Sequence, residues 1–425
     1  MKNALTGQGV EHSIAQYRTD RDPNAKLLRR VVVHFAVDTE RVAMTTRLAG
    51  SGTRFLPFNR GHEMGAGNPP NPSGHRTAYL WEQVWQRDAW LDLLQRFVHV
   101  EPAPKGSKAR PNVIFPRFHQ WDAVRALTSA AQANGAGRDY LVQHSAGSGK
   151  SNTIAWMAHR LSSLHDSAGE AKVFDKVVVI TDRRVLDKQL QDTIYQFEHA
   201  LGVVVRIDEN SQQLADALAG EQARIIITTL QKFPFVTEKI DALPDRRYAV
   251  IVDEAHSSQT GDSAAALKEV LGSATEVDPD EPPDAAEDAL AAAVKARGRQ
   301  PNLSFFAFTA TPKARTLELF GRFDEATRRH VPFHLYAMRQ AIQEGFIIDV
   351  LANYVTYKTF WQIEQAVPDD PEFDPGKAKA AIARFVSLHP HQLAQKAEVI
   401  IEHFRRSVAH RIGGQAKAMG RHCVA

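Results

Sequence analysis

Residues 140–161 read YLVQHSAGSGKSNTIAWMAHRL: a short apolar run, a glycine–serine loop and a stretch of helical spacing in direct succession. The run Tyr140–Gln143 predicts a strand. Ile154, Met157, Ala158 and Leu161 recur at helical spacing and predict a helix with one buried side. The loop between them, from Ser145 through Ser148 to Ser151, reads as a phosphate-binding loop. Gly147 and Gly149 let backbone amides approach an anion with no Cβ in the way. Those amides and the start of the helix form an anion nest. Lys150 brings a point charge to the β- and γ-phosphates, and the Ser151 hydroxyl is a ligand for Mg²⁺. One position departs from the general pattern, which has glycine where this chain has His144.

Four further apolar runs follow: KVVVI (176–180), RIIITT (224–229), YAVIVD (248–253) and SFFAFT (304–309). They are hydrophobic almost without interruption, as strands buried on both faces must be. They predict an α/β domain with a parallel sheet wrapped by helices. The third run continues as IVDEAHSSQTG (251–261). A carboxylate at the C-terminal tip of a buried strand, Asp253, can hold Mg²⁺ opposite the loop. Its neighbour Glu254 can orient and deprotonate an attacking water. A nucleotide gripped between the loop and Asp253 is the expectation.

The first hundred residues follow another pattern. Leu5–Tyr17 predicts a short helix, and Val31–Val37 with Val42–Leu48 predicts an antiparallel hairpin. Thr53–Phe58 predicts a third strand. The Gly-, Pro- and Asn-rich stretch 61–74 predicts a loop. Leu80–Val98 predicts one helix with Trp81 and Trp85 in the core. The acidic, proline-rich stretch 275–289 predicts an insertion, and 392–408 an amphipathic helix.

With 425 residues, 43 % hydrophobic and 24 % charged, the chain is globular and long enough for more than one domain. No apolar run suits a membrane span or a secretory leader. The one cysteine, Cys423, cannot form an internal disulfide or a Cys-rich zinc site, which fits the cytoplasm. Net charge is only +3, but the first 110 residues carry more basic than acidic side chains, a mild attraction for a polyanion. His330 and His334 have the spacing of a helical ligand pair, yet Pro332 between them argues against that helix.

GSGKS, DEAH and TAT (309–311) together resemble the superfamily 2 helicase and translocase motor. The resemblance makes FPRFHQWDAV (115–124) an adenine-recognition motif, with Gln120 on the adenine edge and Phe118 stacking. TDRRVLDKQL (181–190) and TTLQKF (228–233) resemble loops that meet strand phosphates, which implies DNA contacts for Arg183 and Lys232. Thr309 and Thr311, joined by His256, would couple the nucleotide site to DNA movement.

The surrounding wording is similar to the restriction (motor) subunit of type I restriction–modification enzymes. It includes VDEAHSSQTG, FFAFTATPKARTLELFG, YAMRQAIQEGFIIDVL and the N-terminal KNALTGQGVEHSIAQYRTDRDP. That resemblance implies ATP- and Mg²⁺-dependent translocation on double-stranded DNA, linked to endonucleolytic cleavage. It implies methylation and specificity subunits as partners. It also divides the chain. Residues 1–100 would be the C-terminal part of a PD-(D/E)xK nuclease-like domain and 101–112 a linker. Residues 113–337 would be a RecA-like P-loop motor domain with an acidic insertion at about 275–300. Residues 338–382 would connect it to the start of a second RecA-like domain, 383–425. Lys2 matches the nuclease lysine, but the carboxylates that accompany it would lie before Met1. The likeness stops after Met419. A chain cut at both ends is therefore expected, able to bind ATP but slow to hydrolyse it and without nuclease activity or translocation. Another superfamily 2 DNA motor and a catalytically dead nucleotide- or DNA-binding relic are the alternatives.

Overall fold

The computed structural model describes residues 7–101, 111–181, 184–196, 202–207, 211–229, 245–253 and 300–349. The chain divides into two compact units, Met1–Asn353 and Tyr354–Ala425, and every described residue lies in the first. At its start, α1 (Val10–Thr19) packs on a hairpin of β1 (His34–Val37) and β2 (Val42–Thr45), with Val37 opposite Val42. Asp38 builds the turn. One carboxylate oxygen accepts from the amides of Glu40 and Arg41 at 2.7 and 2.6 Å, and the other from the amide of Val10 at 2.7 Å. Those bonds fix the hairpin and the start of α1 together. The third strand, β3 (Leu56–Pro57), is shorter than expected. Pro57 has no N–H to extend the ladder.

The helix expected over 80–98 is broken. Leu80–Val84 forms a π-helical turn, and α2 (Arg87–Arg96) starts after Gln86, whose ψ of 141° interrupts the helical path. The break leaves Trp81 and Trp85 36 % and 43 % exposed, which corrects the reading of them as core residues. Leu80, Val84 and Leu93 take the buried side instead. Beyond α2, β4 (His99–Glu101) pairs antiparallel with β5 (Asn112–Ile114).

Next come α3 (Phe118–Asn134), β6 (Tyr140–His144) and α4 (Lys150–Ser162). They are followed by β7 (Lys176–Thr181), α5 (Arg184–Gln196), β8 (Val204–Arg206), α6 (Ser211–Ala219), β9 (Ile225–Thr229) and β10 (Tyr248–Val252). After residue 300 lie β11 (Leu303–Thr309), α7 (Ala314–Phe320), the small hairpin β12 (Arg322–Asp324) and β13 (Arg329–Val331), β14 (His334–Tyr336) and α8 (Met338–Gln343). Seven strands form one sheet in the order β14-β6-β11-β10-β7-β9-β8, with every neighbouring pair parallel.

Alternation along each strand explains the unbroken apolar runs. Val177, Val179, Ile225, Ile227, Ala249 and Ile251 belong to one core with α3 and α4, while Val178, Ile180, Ile226, Val250 and Val252 belong to a second core with α6. The first core continues without a break into the N-terminal part through Val42, Met44, Phe58, Tyr79, Leu93 and Phe97. The indole N–H of Trp156 in α4 donates to the Phe97 carbonyl at 3.0 Å.

No helix among the described residues is long and apolar enough to cross a membrane. The segment 102–110, most of the acidic insertion at 275–300, and residues 350–425 lie outside the described residues. The expected C-terminal amphipathic helix and second RecA-like domain fall there too.

Candidate nucleotide-binding site

Parallel strands put their C-terminal ends on one edge of the sheet. Ser145–Gly149 leaves β6 on that edge and turns into α4, whose first residue is Lys150. Gly147 and Gly149 have φ of +71° and +77°, the left-handed region that glycine adopts freely. A Cβ at Gly147 would lie 3.1 Å from Ile347 Cγ2 and 3.2 Å from the Phe346 carbonyl. That side of Gly147 is therefore closed by protein, and the loop has the backbone curvature that a phosphate nest requires. Ser145 and Ser148 are buried, and their Oγ atoms find no hydrogen-bond partner among the described residues. Lys150 and Ser151 are half-buried at the helix start.

Three side chains from the beginning of α3 hold the loop from behind. Arg117 Nη2 donates to the Gly147 carbonyl at 2.9 Å, His119 Nε2 to Ser148 at 3.0 Å, and Gln120 Nε2 to Gly149 at 2.9 Å. Gln120 Oε1 accepts from the Arg117 amide at 2.9 Å. Gln120 thus uses one end of its amide on the loop and the other on the start of α3. Phe118 is 3 % exposed and packs against Phe58, Tyr79 and Trp121. Its burial corrects the expectation of a base-stacking ring. Arg117 and His119 were not singled out from the sequence, although RFHQ at a helix start is the local signal for both.

Behind the loop lies a histidine chain. His144 Nε2 and His334 Nδ1 are 2.8 Å apart, and His334 Nε2 is 3.4 Å from Asp122 Oδ2. The carboxylate accepts from His334 Nε2, which leaves His334 Nδ1 to accept from His144. His119 stacks on Tyr336 at 3.7 Å between centroids, and the Tyr336 hydroxyl donates to Glu344 at 2.7 Å. Burial pushes His119 and His144 well below the ordinary imidazole range. The neighbouring Arg117 adds to this at His119, and His334 adds to it at His144. Burial likewise raises the Glu344 carboxyl and lowers the Arg117 guanidinium. The Ser145 amide donates to the Tyr336 carbonyl at 3.0 Å, so β14 anchors the entry to the loop.

Across the sheet, β11 alone separates β6 from β10. Asp253 follows β10 directly, and its amide donates to the Ile180 carbonyl at 3.0 Å. Two strand spacings put the ends of β6 and β10 roughly 10 Å apart. Thr309 closes β11 between them, paired in register with Gln143, and its Oγ1 accepts from the Thr311 amide at 3.3 Å. The loop, Asp253 and Thr309 thus share one sheet edge. Lys2, Arg183, Lys232, Glu254 and His256 lie outside the described residues.

A family model described as SWI2/SNF2 ATPase matches residues 119–375. Similar curated proteins include a type I restriction enzyme endonuclease subunit of Staphylococcus aureus (strain COL), 26 % identical over 57 % of this chain and 22 % of its own length. The type I restriction enzyme HindI endonuclease subunit of Haemophilus influenzae is 26 % identical over 64 % of this chain and 24 % of its own. This chain spans about a quarter of the length of the curated relatives it matches. Among solved structures, the UvsW helicase from bacteriophage T4 is 14 % identical over 56 % of this chain and 66 % of that one, with a TM-score of 0.31, too low to carry an argument.

Proposed function

The chain belongs to the SWI2/SNF2 ATPase family, and from that premise we propose that it is the motor-bearing portion of a type I restriction enzyme endonuclease subunit. In this reading it binds ATP with Mg²⁺ and hydrolyses it slowly, and the intact enzyme uses that hydrolysis to move along double-stranded DNA. The single observation that supports it best is the shared sheet edge of the loop Ser145–Ser151, Thr309 and Asp253.

The residues present fit a nucleotide. Gly147 and Gly149 supply the left-handed backbone curvature that turns loop amides toward an anion, and the buried Oγ atoms of Ser145 and Ser148 are left without a partner among the described residues. Lys150 would meet the β- and γ-phosphates, and Ser151 and Asp253 would hold Mg²⁺. When bound, the metal nucleotide supplies the anhydride whose hydrolysis releases free energy. Arg117, His119 and Gln120 fix the loop carbonyls, which keeps the opposing amides turned toward the anion. Glu254 would orient the attacking water, and Thr309 and Thr311 would relay the state of the site to the DNA-facing loops that carry Arg183 and Lys232. His256 would join that relay. The intact enzyme's cleavage of DNA, its methylation and specificity subunits, and the nuclease role of Lys2 belong to the same proposal.

Phosphate release from ATP by the purified chain, with and without double-stranded DNA, tests it. The expected result is slow release that gains little from DNA and that Lys150→Ala lowers at least about 100-fold, the scale of losing a preorganised transition-state contact. Release that Lys150→Ala leaves unchanged would refute the proposal.

A further inference from the structure

A cleft of about 640 Å³ opens beside the start of α4, within the size range of small-molecule sites. One wall is the motor side: Arg117, Gln120, Gly149, Asn152 and Phe346. The other wall is the N-terminal sheet, where Arg47 follows β2 and Arg54 precedes β3. Gly149 and Asn152 bracket Lys150 and Ser151, so the cleft begins where a triphosphate held in the loop would leave it. Three arginines line it, and the described lining contains no carboxylate.

Arg117 is 9 % exposed and lies over the Phe346 ring at 4.1 Å. Nη2 serves Gly147, while Nη1 finds no hydrogen-bond partner among the described residues. Arg47 and Arg54 are exposed. Neither is drawn into a salt bridge among those the described residues form. Guanidinium groups only donate. They suit a partner that offers acceptors and a flat π-face, and a purine nucleoside offers both.

We propose that Arg47 and Arg54 bind the nucleoside end of the triphosphate whose phosphates occupy the loop, which makes the N-terminal sheet one wall of the nucleotide site. The proposal rests on the nucleotide reading above and adds two residues from outside the motor sheet. It also ties nucleotide occupancy to the position of the N-terminal part.

Equilibrium binding of ATP and of inorganic tripolyphosphate to the full chain tests it. The proteins compared are wild type, the double variant Arg47→Ala with Arg54→Ala, and Lys150→Ala. Because both arginines are exposed, the double variant should unfold at the wild-type temperature. It should bind ATP about tenfold more weakly, as loss of cation–π and hydrogen-bond contacts implies. Tripolyphosphate, which has no base, should bind it within about twofold of wild type, while Lys150→Ala weakens both ligands. Unchanged ATP affinity in the double variant overturns the inference and leaves the nucleotide site standing. Equal weakening of both ligands also overturns it, because the arginines would then act on phosphate charge alone. A wild-type chain that binds neither ligand refutes the nucleotide reading itself.

Discussion

His144 closes β6 directly before the glycine loop, buried and bonded to His334. Together with His119 it is held neutral mainly by burial. Both groups have folded values below the unfolded value of 6.5, so the unfolded chain binds protons that these sites refuse. Their contribution to stability is complete above that value and is lost as pH falls below it. Each site adds a slope of up to about 1.4 kcal/mol per pH unit. Urea unfolding at pH 7.5 and at pH 5.5 should show a marked loss at the lower pH, and His144→Gln should reduce that slope. A pH-independent midpoint would contradict the burial argument. The sequence revealed the glycines because their spacing alone defines the loop. It did not reveal the histidine chain, because His119, His144 and His334 come from three separate elements. Phe118 was misread for a related reason: the rings that bury it, Phe58 and Tyr79, come from the N-terminal part.

The helices and strands divide along similar lines. Five strands of the large sheet were legible because each is an apolar run buried on both faces. β8 and β14 were not, since VVR and HLY are three-residue strands with mixed polarity. β14 nevertheless matters, because its carbonyl at Tyr336 anchors the loop. The helix α2 joins the N-terminal part to α4 through a two-pronged ion pair, Arg160 to Asp92 at 2.7 and 3.2 Å. Burial lowers the Arg160 guanidinium, and Asp92 opposes that shift. Asp92→Ala leaves a largely buried guanidinium short of its acceptor, at a cost of about 1–3 kcal/mol. Denaturant unfolding should show that loss with nucleotide affinity unchanged. An unaltered midpoint would mean that the pair only marks the contact between α2 and α4.

For the molecule as a whole, one hydrophobic core joins the N-terminal hairpin to the seven-stranded sheet. Sequence patterning separated two regions by composition, but it could not show that they share a core, because that depends on long-range packing. The sheet order is the other property that emerges only at this level. Lys150 and Asp253 are far apart in the chain and come to the same sheet edge because β10 and β11 insert between β6 and β7. Titration of ATP into the chain, with Mg²⁺ or with a chelator, tests whether they serve one ligand. Mg²⁺ should tighten binding to the wild type; Asp253→Ala should abolish that tightening without changing metal-free affinity, and Lys150→Ala should weaken binding in both conditions. An Asp253→Ala chain that keeps the full Mg²⁺ effect would contradict a shared nucleotide site.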